Sequence, residues 1–220
     1  MYDGAAAPSY NRAMPALTPL SLSRATRALA RRDPDLARVI ALHGVPPLWA
    51  REPGFPTLIL IILEQQVSLA SARAAFNRLT DACGTVTPSA MLQFDDATLK
   101  QIGFSRQKAG YARGLAQRIL DGTFDPAALE RMNDARARAA LIDLKGVGAW
   151  TADIYLLMAL RRPDVWPHGD LALVKAAGRV KGLPPRPTPE AWEALAEPWR
   201  PYRSVAARVL WTEYLGGKAI

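Results

Sequence analysis

The chain has 220 residues, half of them hydrophobic, enough for one large domain or two small lobes sharing a cleft and unlike a disordered tail. Lys and Arg total 28 against 20 Asp and Glu, a net charge of +8 with a pI near 10.0, which points to a polyanionic partner, most simply nucleic acid. The single cysteine, Cys83, excludes an intramolecular disulfide and any cysteine-built zinc or iron–sulfur centre, and no side-chain metal ligand set is visible.

Residues 1–19 are rich in Ala and Pro and carry no long apolar stretch, so they read as a flexible or loosely packed leader rather than a secretory signal. No apolar run approaches the ~18 residues that a membrane span needs. The expectation is a reduced, cytoplasmic protein. One device then recurs along the chain. Asp33-Pro34, Thr87-Pro88, Asp125-Pro126 and Thr188-Pro189 each set a capping side chain before a proline at the first helical position. There the missing N–H costs nothing and the fixed φ suits a helix. Apolar residues at helical spacing follow, such as Leu36, Val39 and Ile40, or Trp192 and Leu195.

Residues 44–56, rich in Pro and Gly, read as a loop. Residues 58–63 are uniformly apolar and run on through Glu64 to Ala70 without a turn residue, so a buried helix is expected rather than a strand. Cys83, between Ala82 and Gly84, is expected to be a small buried residue. The whole reads as all-α, about ten short helices by this spacing.

The most informative stretch is Leu144-Lys145-Gly146-Val147-Gly148. It ends an amphipathic helix over residues 135–144 and opens another over 149–161. Two glycines around one apolar residue let the chain reverse tightly and approach a ligand closely, and the second helix begins with free N–H groups suited to a phosphate. Without a preceding strand and a third glycine, this is not a nucleotide-binding fingerprint. Past Arg161-Arg162-Pro163, the segment Asp164-Val165-Trp166-Pro167-His168-Gly169-Asp170 leads into a helix over 171–180. Asp170 is therefore expected to cap that helix, a position that also fixes the direction of its carboxylate.

With hairpin, apolar helix and downstream aspartate in this order, the chain resembles the helix-hairpin-helix DNA glycosylase superfamily, most closely its alkylated-base (3-methyladenine DNA glycosylase II) branch. The resemblance runs over residues 20–216. Its matches are Ile62-Leu63-Glu64-Gln65-Gln66-Val67-Ser68, similar to the segment that bears a minor-groove wedge, and Ile102-Gly103-Phe104-Ser105-Arg106-Gln107-Lys108, similar to a Gly-x-Ser-x-x-Lys turn. The hairpin at 144–149 and Trp199-Arg200-Pro201-Tyr202-Arg203-Ser204 with Trp211 complete the set.

The resemblance implies a two-lobed helical domain over 20–220 with a cleft between the lobes, and an enzyme that flips a damaged base out of duplex DNA and hydrolyses its glycosidic bond. It implies Asp170 as the catalytic carboxylate, Trp150 and Trp211 as base-pocket walls, and Gln66 as the wedge with Gln65 and Ser68 beside it. It further implies DNA contacts from Ser105, Lys108, Lys145 and the backbone of Gly146, Gly148 and Ala149, with Lys175 as an additional candidate. An aromatic pocket suits alkylated purines because a π face attracts a cationic ring. Relatives that also cleave the strand carry a Schiff-base lysine where this chain has Trp150, so a monofunctional enzyme is expected, without cofactor, membrane or protein partner and monomeric.

Some departures from the family pattern matter. The four-cysteine iron–sulfur loop of the endonuclease III and adenine-glycosylase branches is absent, and the leader has no room for the β-rich N-terminal domain of some relatives. A tyrosine found in some relatives four residues after the hairpin tryptophan is Ile154 here, with Tyr155 next to it. Asp153 reads as a solvated or capping group, Asp164 as unpaired with Asp170, and His168 as a loop histidine without a role. Two alternatives stay open: a glycosylase for oxidised or deaminated bases on the same scaffold, and a helix-hairpin-helix protein that only binds DNA.

Overall fold

The computed structural model describes residues 15–216; residues 1–14, most of the expected leader, lie outside the described part, as do 217–220. Among the described residues there are twelve α-helices and no strand. In chain order they are α1 (Pro19–Arg32), α2 (Pro34–His43), α3 (Phe55–Glu64), α4 (Leu69–Cys83), α5 (Pro88–Gln93) and α6 (Asp96–Ile102). There follow α7 (Arg106–Leu120), α8 (Asp134–Ile142), α9 (Ala149–Ile154), α10 (Leu171–Lys181), α11 (Pro189–Ala196) and α12 (Arg203–Tyr214). Short 3-10 helices span Pro126–Arg131 and Glu197–Trp199, and a π-helical segment, Tyr155–Ala159, continues α9.

All four cap–proline junctions start helices. Asp33 accepts from the N–H groups of Asp35 and Leu36, Thr87 from Ala90 and Thr188 from Ala191. Asp125 accepts from Ala127, but the helix it opens is 3-10. Each cap satisfies N–H groups that a helix start otherwise leaves bare, a contribution of about 1 kcal/mol. The last residues of the leader are packed rather than loose: Leu17 is buried, and its N–H donates to the carbonyl of Arg161 at 2.8 Å.

Helix α3 is buried on every side, Leu58 to Leu63 all lying in the core, as an unbroken apolar run requires. It does not run on to Ala70. The chain leaves the helix after Glu64, Gln66 takes a left-handed φ of 58°, and α4 restarts at Leu69 with Ser68 as its cap. The helices pack in two groups. One is α3 to α7; the other is α1, α2, α10 and α12 with the 3-10 helix Glu197–Trp199. Helix α9 and its π segment lie against α3 and α8, and one hydrophobic core runs through both groups.

Arg208, fully buried on α12, ties distant segments together. Its guanidinium donates to the carbonyls of Leu48 at 3.0 Å, Ser204 at 3.0 Å and Leu157 at 2.8 Å, and burial pushes its pKa down to about 9. Cys83 is half-buried rather than fully enclosed, its thiol donating to the carbonyl of Leu79. No helix among the described residues is long and apolar enough to cross a membrane.

Candidate active site

Asp170 caps α10: its Oδ1 accepts from the N–H of Leu173 at 2.8 Å. The same carboxylate receives two indoles. Trp211 Nε1 donates to Oδ1 at 3.1 Å, and Trp150 Nε1 donates to Oδ2 at 2.9 Å. Three helices thus converge on one carboxyl group: α9 supplies Trp150 directly after the hairpin, α12 supplies Trp211, and α10 supplies the aspartate. Trp150 and Asp170 are half-buried and Trp211 is buried. With both oxygens held by N–H donors, the carboxylate can neither rotate nor turn away without breaking three hydrogen bonds.

A third tryptophan, not singled out from sequence, completes this corner. Trp49 lies in the loop between α2 and α3 and meets Trp211 edge to face, with ring centroids 6.3 Å apart and planes at 66°. Its only sequence signal was a tryptophan inside a Pro-rich loop.

The hairpin lies immediately before Trp150. Gly146 has φ 87°, and a Cβ there would stand 2.2 Å from carbon atoms of the Tyr111 ring, so no other residue fits without movement. The N–H groups of Gly146, Gly148 and Ala149 find no acceptor among the described residues, while Val147 N–H is used by the carbonyl of Leu144. Lys145 is exposed beside them, and Lys175 is exposed on α10.

Two residues expected to face DNA turn inward instead. Gln65 Nε2 donates to the carbonyl of Gly146 at 2.8 Å and to Thr151 Oγ1 at 2.9 Å, fastening the hairpin to the end of α3. Lys108 Nζ donates to the carbonyls of Leu63 at 2.7 Å and Gln65 at 2.8 Å, and burial lowers its pKa. These are the carbonyls that α3 leaves bare where it ends, so the lysine satisfies the break rather than reaching for a phosphate. Gln66 is left exposed at the tip, with Val67 and Ser68 also exposed. Ser68 accepts from Ser71 N–H and Ser105 from Lys108 N–H, each as a helix cap.

The loop that delivers Asp170 is held by residues that sequence reading undervalued. Asp153 is not solvated; it is buried, and it accepts from Arg138 Nε at 2.7 Å and from the backbone N–H of His168 at 3.3 Å. The His168 ring has Nδ1 3.1 Å from Asp153 and Nε2 2.6 Å from Glu193, so the histidine bridges α9 and α11. The bond to Asp153, with Glu193 adding to it, raises the His168 pKa against its partial burial. Asp164 likewise pairs with Arg203 at 3.0 Å and Arg200 at 2.8 Å. A cavity of about 200 Å³ lined by Arg138, Asp153, Asp164, His168 and Arg203 lies behind this loop and includes neither Asp170 nor its two tryptophans. Its charges are already paired, which makes it scaffold rather than a binding site. Only remote packing could have revealed these pairs. Among the described residues no cluster of His, Cys, Asp or Glu could hold a metal ion.

Known proteins resemble this chain in sequence and in fold. The family model described as "HhH-GPD superfamily base excision DNA repair protein" matches residues 59–201. YfjP of Bacillus subtilis is 28% identical over 185 residues, 80% of this chain, which spans 64% of that protein's length. The alkylbase DNA glycosidase-like protein mag2 of Schizosaccharomyces pombe is 30% identical over 70% of this chain and 75% of its own. Among solved structures, the S. pombe 3-methyladenine DNA glycosylase Mag1, in complex with abasic DNA, superposes with a TM-score of 0.79 at 27% identity, covering 86% of this chain and 95% of Mag1.

Proposed function

The chain belongs to the HhH-GPD superfamily of base excision DNA repair proteins, and from that premise we propose that it is a DNA glycosylase that flips alkylated purines out of duplex DNA and removes them by hydrolysis. The observation that carries this reading is the carboxylate of Asp170, held on both oxygens by the indoles of Trp150 and Trp211 beside a hairpin whose Gly146, Gly148 and Ala149 N–H groups find no acceptor among the described residues. The relatives' names supply the lesion class.

The chemistry follows from the geometry. Extruding a nucleotide costs a few kcal/mol of unstacking and unpairing. Gln66, exposed at a left-handed turn, fills the gap left in the duplex. The N–H groups of Gly146, Gly148 and Ala149, with Lys145 beside them, take a backbone phosphate and set register without reading sequence. Ser105 and Ser68, exposed caps of neighbouring helices, add contacts to the same strand. An alkylated purine is cationic, and the indole faces attract it. As the glycosidic bond lengthens, positive charge develops on the sugar, and the fixed negative charge of Asp170 stabilises it or directs the attacking water. A cationic base leaves without a second carboxyl group to protonate it.

Trp150 stands where strand-cleaving relatives carry lysine, and among the described residues no lysine hydrogen-bonds Asp170, which supports an intact abasic strand as the product. The two helical groups serve as lobes, with the duplex lying across a cleft between them. The enzyme acts as a monomer in the cytoplasm, without a cofactor.

The test is release of free base from methylated duplex DNA by wild type and by Asp170→Asn. Release of methylated purines that falls at least about a thousandfold in the variant, with no nick in the strand, is the expected result. Silence from wild type on methylated, oxidised and deaminated DNA, with duplex binding retained, would leave a protein that only binds DNA.

A further inference from the structure

Trp49 carries two local costs that nothing in its own loop repays. It adopts φ 46°, a left-handed backbone conformation that a tryptophan side chain disfavours. Its Nε1 is buried and has no hydrogen-bond acceptor among the described residues. If packing alone were at stake, phenylalanine would cover Trp211 without stranding a donor.

The fold nevertheless fixes this residue from both sides. Ahead of it, Arg208 donates from α12 to the carbonyl of Leu48 at 3.0 Å. Behind it, Arg51 N–H donates to the carbonyl of Met158 at 3.0 Å, and the Arg51 guanidinium makes two bonds of 2.9 Å to Glu64. The backbone is clamped to α12, to the π segment and to the end of α3, and the strained residue is the one between the clamps. Strain of this kind persists only where surrounding structure imposes it, and it concentrates at functional sites. Here it sets the indole against Trp211, whose own N–H is on Asp170.

The geometry points to Trp49 as a specificity-determining residue of the base pocket: a third aromatic wall whose N–H is held back for an acceptor on the flipped purine. This assignment rests on the glycosylase reading above. The acceptor is an unalkylated ring nitrogen or a carbonyl oxygen of the base. A donor kept from water and from protein favours a base that presents such an atom and penalises one that leaves the donor stranded. Trp150 and Trp211 cannot serve in this way because Asp170 already takes their N–H groups.

Methylated DNA contains both 7-methylguanine and 3-methyladenine, which present different acceptors, so one digest reports a ratio that does not depend on the fraction of folded enzyme. Trp49→Phe removes the N–H and keeps an aromatic wall. The expected result is a change of about fivefold or more in the ratio of the two initial release rates, with a Tm equal to or above wild type, since one hydrogen bond near 1 kcal/mol corresponds to about fivefold. Trp49→His, which restores a ring N–H, is the second variant and moves the ratio back toward wild type; Trp49→Leu, which also removes the N–H, takes the place of phenylalanine if that variant does not fold. A ratio within about twofold of wild type in the variant that lacks the N–H, whatever the total rate, overturns the assignment. Wild type releasing neither base overturns the alkylated-base reading and this assignment with it.

Discussion

Lys108 donates to the carbonyl oxygen of Gln65 at 2.8 Å, and so a lysine on α7 shapes the turn that presents Gln66. Its second bond, to the carbonyl of Leu63, closes the end of α3. On the proposed reading, replacing Lys108 with Met loosens the turn that carries the proposed wedge, Gln66, rather than removing a phosphate contact. The expected outcome is base release slowed about tenfold with little change in the salt dependence of duplex binding. Lys145→Ala gives the opposite pattern, a log–log salt slope lower by about 1 with the chemical step intact. A lower salt slope for Lys108→Met would contradict the inward role.

On the proposed mechanism, Trp150 and Trp211 act on catalysis through their hydrogen bonds to Asp170 as well as through contact with the base. Phenylalanine at either position keeps a ring and removes one donor to the carboxylate. Hydrogen bonds to a charged group contribute about 1.5–3 kcal/mol, so each variant slows single-turnover base release by about 10- to 100-fold. The double variant loses less than the product of the two, because both donors serve one group. Strictly multiplicative losses would argue against a shared carboxylate.

The His168 bridge predicts a pH dependence of stability with a defined sign. Asp153, first, and Glu193 raise the histidine pKa above its ordinary 6.5 in the folded protein, with Arg138 on Asp153 and Arg203 near Glu193 completing the surrounding charges. The stabilisation is fully present below the unfolded pKa and is lost as pH rises through the raised folded value. The Tm difference between wild type and His168→Ala should thus shrink from pH 6 to pH 9, as followed by thermal unfolding across that range. A constant difference would mean that the histidine is neutral throughout.

Gly146 meets two constraints at once, a φ of 87° and the Tyr111 ring where a Cβ would sit. Alanine there should cost about 2–4 kcal/mol, the sum of left-handed strain and overpacking. The additional change Tyr111→Ala relieves the clash but not the strain, so urea midpoints should show partial rescue. Complete rescue would assign the whole cost to the clash.

What the sequence determined on its own was set by near neighbours in the chain. The four cap–proline junctions, the buried apolar run of α3, the glycine of the hairpin and the capping position of Asp170 all depend on residues within about one helical turn, and such interactions can be read from spacing. That Trp150 and Trp211 belong with Asp170 came from resemblance to a family, since no spacing rule joins residues 41 positions apart. Tertiary structure alone decided where the long polar side chains go. Lys108 and Gln65 have sequence contexts suited to a DNA contact, yet each meets backbone carbonyls or a hydroxyl left bare by a remote helix end. Asp153 and His168 look like surface residues until α9 and α11 arrive on either side of one loop. Trp49 is strained between two remote clamps, Arg208 on the carbonyl of Leu48 before it and the Met158 carbonyl on the N–H of Arg51 after it. A flexible charged or amide side chain satisfies whichever partner the fold brings within reach, and which partner that is depends on packing between segments distant in the chain.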